Sequence, residues 1–311
     1  MRYFFIFIGL VGIGFSKITP NIQIKVGTLL SGISTIDIIR IGKVTTPLDV
    51  KVVRFRKTPE IITALVKGEI DVAVIPAEMA AKLYERGVRI KIIAADMYQN
   101  QAILSTSKDI NSVSDLKGKK VAALLSSGTY MTFKSYLQQA YGLKAGRDYF
   151  VINAVPGALP EILERGDADA VVVWEPLVSV LLNQGAHIIA SFDQLWRKLG
   201  NSGKPVMLIW AISPHFKNEK IISEFVKLRD RAANFWIIYP DQTIKILKNT
   251  YRFKEGVAKS VYKRVSIVTE GLNPELIKNI REVWRISWKG GYLEKKPGTI
   301  PDSIFYLSQG G

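Results

Sequence analysis

The chain repeats itself once. "ALVKGEIDVAVIPAEMAAKLYERG", residues 64–87, and "ILERGDADAVVVWEPLVSVLLNQG", residues 162–185, align at a constant offset of 98. Leu65 meets Leu163, Gly68 meets Gly166, Asp71 meets Asp169, Val74 meets Val172, Leu83 meets Leu181 and Gly87 meets Gly185. The physical grammar is the same in both copies. A helix ends at a glycine, which takes the left-handed cap conformation without strain. An aspartate then precedes a short apolar run suited to a strand buried on both faces, and a second helix leaves that strand's carboxyl end. "IKIIA" at 90–94 and "HIIA" at 187–190 extend the likeness. Two copies are too few for a solenoid. Two facing lobes are the simpler geometry, with a ligand cleft at the strand ends where open α/β sheets bind.

The rest of the chain alternates strand and helix signals, which points to an α/β fold with mostly parallel sheets. The patterning predicts strands over 22–30, 50–55, 70–75 and 121–125. It predicts helices over 36–41, 59–67, 79–86, 130–141 and 274–289. The last has Asn273 as its cap, Pro274 at its first position and Gly290-Gly291 as its stop.

One junction raises a chemical question. In "AALLSSGTYMTFKSYL", residues 122–137, a buried run breaks into Ser126, Ser127, Gly128 and Thr129 just before a helix. Free N–H groups and partial positive charge gather at such a helix start. Ser127 or Thr129 caps it. The small residues leave room for an anionic group to reach the amides.

Composition excludes several chemistries. The 311 residues contain no cysteine, so disulfides, thiolate nucleophiles, Cys-ligated zinc and iron–sulfur sites are ruled out. No metal site, cofactor or catalytic residue is expected. His187 sits within an apolar run and His215 follows Pro214, both in packing or surface settings. No P-loop, zincin or nucleophile-elbow pattern occurs. The formal charge is +16, but the basic residues are scattered, with 51–57 and 289–296 the densest pieces. They form no basic-aromatic nucleic-acid platform, so nucleic acid is not an expected partner. A positive exterior facing an anionic membrane is the reading of the charge. After Met1-Arg2, thirteen uncharged residues suit the core of an export signal and are short for a membrane span. Residues 1–16 are therefore expected to be a signal peptide, cleaved near Ser16, or a retained anchor. The mature chain is expected outside the cytoplasm, in the periplasm or at the cell surface.

Several segments resemble solute-binding proteins of ABC importers. "VSDLKGKKVAALLSSGTYMTFKSYL" is similar to their Asp-Leu-Lys-Gly segment and the Ser/Thr-Gly-rich turn after it. "LVKGEIDVAVI" and "GDADAVVVWEP" resemble the branch of sulfonate, taurine, nitrate and thiamine-precursor receptors. "ISPHFKNEKIISEFVKLRDRAANFWIIYPDQTIKIL" resembles its C-terminal helical part. The likeness runs from about residue 22 to 292. It implies a type II periplasmic-binding fold: two lobes, each a mostly parallel sheet flanked by helices, joined by two hinge strands and closing on a ligand. Residues 17–100 and 212–311 would form lobe one. Residues 101–211 would form lobe two including the hinge strands, with crossings near 101–106 and 205–211.

The family's binding loops map onto five places: Ser31 and Gly32; Pro76, Ala77 and Glu78; Tyr98, Gln99 and Asn100; Ser126, Ser127, Gly128 and Thr129; Trp174 and Glu175. Within these loops there is no Arg or Lys. The helix start favours an anionic group, while the two glutamates favour an amine or a heteroaromatic cation. The resulting expectation is a zwitterion or nitrogen heterocycle held between Trp174 and Tyr98. The function expected is delivery of a small solute to an ABC permease by a monomer. An enzyme on the same fold, resembling a pyrimidine synthase or a quinone-pathway dehydratase, is the alternative. The synthase group carries a cysteine-rich motif that is absent here. A third reading is an adhesion or sensor module derived from such a receptor.

Overall fold

The computed structural model describes residues 22–307, and the expected signal or anchor lies outside them. The first stretch runs β1 (Ile22–Leu29), α1 (Ile36–Arg40), β2 (Leu48–Phe55), α2 (Thr58–Lys67), β3 (Val72–Pro76), α3 (Ala77–Glu85) and β4 (Lys91–Tyr98). The second runs β5 (Ala102–Ser105), β6 (Lys120–Ala123), α4 (Gly128–Tyr141), β7 (Phe150–Asn153), α5 (Leu159–Glu164), β8 (Ala170–Val173), α6 (Leu177–Asn183), β9 (His187–Ser191) and α7 (Phe192–Lys198). The chain then returns through β10 (Val206–Ile212) to α8 (Glu219–Ile238), α9 (Pro240–Tyr251), α10 (Glu255–Arg264) and α11 (Pro274–Lys289).

These strands form two five-stranded sheets of the same topology, β2-β1-β3-β10-β4 and β7-β6-β8-β5-β9. In each, the first three strands in spatial order are parallel, and the fourth runs antiparallel to both the third and the fifth. The two copies of the repeat fall in different sheets, with β3 central to one and β8 central to the other. All four residues of β8 and the first four of β3 are buried. Short β-branched runs were a sign of such strands, because both faces carry helices.

The repeated residues perform the same tasks. Asp71 accepts the Lys25 amide on Oδ2 at 2.7 Å, and Asp169 accepts the Lys120 amide at 2.7 Å. Gly68 and Gly166 have φ of 73° and 74°, and Gly87 and Gly185 have 83° and 95°. A side chain at those angles would be strained, so the glycines stop the helices on both sides of each repeat strand.

The expected hinge strands are corrected in one respect. Neither apolar segment crosses between the sheets: β5 belongs wholly to the second sheet and β10 wholly to the first. Residues 206–211, grouped with lobe two by sequence, thus pair with β3 and β4. The reason is hydrogen-bond satisfaction. A buried extended run needs ladder partners on both sides, whereas the polar Gln99, Asn100 and Gln101 and the stretch 200–204 are suited to cross. The two crossings bond to each other through the Gln99 amide and the Pro205 carbonyl, 2.7 Å apart.

The C-terminal helices pack mainly on the first sheet, yet two of them also touch the second half. Apolar residues of α10 (Val257, Ala258 and Val261) belong to the first core, while its end reaches α6. Helix α11 lies between α3 and α4: the Trp284 indole donates to the Ala77 carbonyl at 2.7 Å, and Gln139 donates to the Ile286 carbonyl at 2.9 Å.

Candidate functional site

Parallel strands of one sheet end on the same side. The carboxyl ends of β1, β2 and β3 therefore converge, and so do those of β6 and β8 in the other sheet. Between them lies a cleft of about 870 Å³, counting its open mouth. Eleven of the fourteen candidates line it: Ser31, Gly32, Pro76, Glu78, Gln99, Asn100, Ser127, Gly128, Thr129, Trp174 and Glu175.

Three do not. Tyr98 points to the opposite side of β4, because side chains alternate along a strand. Met97 and Gln99 take the cleft side, and the Tyr98 hydroxyl donates to Glu270 at 2.8 Å. A ring sandwich between Trp174 and Tyr98 is thereby removed. Ala77 is fully buried beneath the wall, and Ser126 is exposed outside it.

The five loops hold no Arg or Lys, but basic residues reach the cleft from outside them. Arg56 and Lys57, at the start of α2, line the cleft together with Thr58. Strand β2 lies beside β1 in parallel, with Leu29 opposite Phe55. The residues after Phe55 thus open on the same cleft as those after Leu29. Arg56 and Lys57 both belong to the basic piece 51–57, whose position beside β1 is what turns its charge toward the cleft. Thr28, Ser34, Met97 and Gln101 were likewise missed.

The helix start in the second half has the expected form. Ser127 is the cap of α4, its Oγ accepting the Tyr130 amide at 3.1 Å. The amides of Gly128 and Thr129 have no hydrogen-bond partner among the described residues. Both residues are buried at the cleft wall, which leaves two aligned donors for an occupant. Across the cleft, Glu78 Oε1 packs so closely on Gly128 that a Cβ there would have no room. Glycine at 128 is what lets the two walls approach.

The two glutamates differ in state. Glu78 is 4% exposed and forms no ion pair among the described residues. Loss of hydration pushes its carboxyl up to about 7, opposed only by its own amide. Glu175 is also buried, but its Oε1 meets Arg264 Nε at 2.6 Å, and Ser179 bonds both carboxylate oxygens. Burial still raises its pKa, against the opposing pull of Arg264 and Ser179. Of the two acids expected to favour a cation, Glu175 already has one in Arg264, and only Glu78 is left without a counter-ion among the described residues. Neither histidine lines the cleft: His187 and His215 each place Nε2 against a backbone carbonyl, at 2.8 and 2.9 Å. Among the described residues no group of three His, Asp or Glu could hold a metal ion.

A model of the NMT1-like family matches residues 11–236, most of the chain. The chain belongs to the NMT1-like family. It is also 27% identical, over 228 residues, to the taurine-binding periplasmic protein of Escherichia coli K12. That alignment covers 72% of this chain and 66%, just under two thirds, of the relative. The fold matches that of the aliphatic sulphonate binding protein SsuA of Escherichia coli, with a TM-score of 0.73 at 20% identity, covering 88% of this chain and 89% of SsuA. The nitrate-binding protein NrtA of Synechocystis gives a TM-score of 0.70 at 16% identity, covering 92% and 86%. The two-lobed α/β fold implied by the sequence motifs is the fold of these periplasmic binding proteins.

Proposed function

We propose that the chain is an extracytoplasmic solute-binding protein. It holds a small zwitterionic solute in the cleft and delivers it unchanged to an ABC permease. The observation that carries this reading is the cleft itself, walled from both sheets by the ends of equivalent strands. The chemistry of the walls supports the ligand class. Arg56, Lys57 and the free α4 amides suit an anionic group, and Glu78 suits an ammonium. Trp174 offers one apolar face for the alkyl segment between them. The similarity to a taurine-binding protein, whose named ligand is itself an aminosulfonate, points the same way. Exported location and a monomeric state belong to the same proposal. The enzyme alternative gains nothing from the cleft, where neither histidine stands.

Native mass spectrometry of the purified protein, followed by calorimetric titration with taurine and with an alkanesulfonate lacking the amine, tests it. Taurine is expected to bind more tightly, and Glu78→Gln to remove most of that preference. Binding should strengthen as pH rises through about 7, because the ammonium needs an ionised Glu78. Chemical alteration of the solute, or no retained molecule and no binding of either probe, overturns the reading.

A further inference from the structure

Tyr251, on α9, reaches the loop that forms one wall of the cleft. Its hydroxyl lies 2.7 Å from the Gly32 carbonyl oxygen and 2.6 Å from Asp37 Oδ2. Both are full-strength O–H···O distances, not the long arms of a shared bond. A tyrosine hydroxyl carries one proton, and an ionised aspartate and a carbonyl carry none to donate. A second proton would satisfy both contacts at full strength, and Asp37 is the group that can hold it.

We propose that Asp37 is held as the neutral acid, donating to Tyr251, whose own proton goes to the Gly32 carbonyl, and that this relay fixes the cleft loop. The Asp37 amide also donates to the Ser34 carbonyl at 3.1 Å, so the loop is gripped at both ends. Arg54 holds the adjacent Leu30 carbonyl at 2.9 Å and stands 5.8 Å from the Tyr251 ring centroid. Asp37 is 2% exposed, and loss of hydration raises its pKa. The charged groups acting on it are Arg40, 3.8 Å from Oδ1, and Arg54, and both oppose that rise. Tyr251 is the other titratable neighbour, and burial raises its pKa further, keeping its proton in place. When Asp37 ionises, Tyr251 turns its single proton to the carboxylate. The Gly32 carbonyl then faces a lone pair, and the loop loosens. The relay places Asp37 and Tyr251 as positioning residues that never touch the occupant of the cleft.

The test does not need a ligand, so it stands apart from the proposed transport role. Difference infrared spectra of wild type minus Asp37→Asn should show the carbonyl stretch of a protonated acid. Peptide-level hydrogen exchange over 31–35, corrected for intrinsic rate, should be about tenfold faster in Tyr251→Phe, the loss of roughly one net hydrogen bond. Protection in the wild type should fall as pH rises, while Asp37→Asn, whose amide donates at every pH, should keep a flat profile. Absence of the acid band, wild-type protection in Tyr251→Phe, or the same pH profile in wild type and Asp37→Asn overturns the relay.

Discussion

Asp71 and Asp169 do the same thing in their two sheets, each clamping the amide of a neighbouring parallel strand at 2.7 Å. Beyond β3 and β8 the copies part. The first continues Pro76-Ala77-Glu78 and the second Trp174-Glu175-Pro176, so the acid has moved by one position relative to the alignment. In a helix start that shift changes what the side chain meets. Glu78 faces the cleft and Gly128 without a cation. Glu175 turns toward α10 and finds Arg264, a residue of the C-terminal segment that packs on the first sheet. The duplicated frame is thus kept, while the chemistry set upon it has diverged. One acid is left available, and the other ties the two halves together.

The sharpest way to break this contrast is Arg264→Ala. Removing one partner of a buried pair leaves an uncompensated charge, at a cost of about 3 kcal/mol, the low end of the range because Arg264 is a quarter exposed. Without the arginine, the folded Glu175 pKa lies further above its unfolded value. The stabilising contribution of a raised acid is complete below the unfolded pKa and lost as pH rises. The loss should therefore be full at pH 8 and shrink toward pH 5. Glu175→Gln should cost only about 1 kcal/mol, since Arg264 can reach water and Ser179 keeps a partner. Urea denaturation of both variants at the two pH values decides it. Equal losses would mean that the pair does not bridge the halves.

Glu78 should behave in the opposite way, because it has no cation to lose. Its pKa is raised from 4.5 to about 7, so its contribution to stability is present below pH 4.5 and disappears as pH passes 7. The displacement corresponds to about 3–4 kcal/mol at most, at about 1.4 kcal/mol per tenfold change in the protonation equilibrium. Glu78→Gln should remove that slope and leave the ligand-free protein more stable than wild type at pH 8. A stability–pH curve with the same slope in both proteins would show that Glu78 is not the uncompensated acid.

Much of the frame was legible because glycine, aspartate and short β-branched runs act locally. Gly68 and Gly166 needed a left-handed backbone, and Asp71 and Asp169 needed an adjacent amide. Helix α11 matched its expected bounds because Asn273, Pro274 and Gly290 act within one turn of its ends. The cleft was harder to read where it depends on pairing partners. The family's loop pattern carries Tyr98 along with Gln99 and Asn100, yet strand alternation sends it to the other face. Arg56 and Lys57 enter through the β1–β2 register, and no local motif announces which strands lie side by side. The Arg264–Glu175 contact joins residues 89 positions apart, and nothing near either residue marks the other.

The smallest expected effect tests the shared half of the comparison. Asp71→Ala and Asp169→Ala each leave one strand-edge amide without its carboxylate. A hydrogen bond to a charged acceptor contributes about 1.5–3 kcal/mol net, but Lys25 and Lys120 are exposed and water can take the aspartate's place, so about 1 kcal/mol is expected. The two losses should be equal within error. They should also add in the double variant to within about 0.5 kcal/mol, since the sites sit in separate sheets and share no partner. Equality matters more than size here. If Asp71→Ala cost several times more than Asp169→Ala, the two aspartates would be doing different jobs despite matched geometry. The divergence at Glu78 and Glu175 would then extend into the frame itself. Equal, additive losses would confine it to the cleft side of each strand, where side chains can change without disturbing the pairing of either sheet.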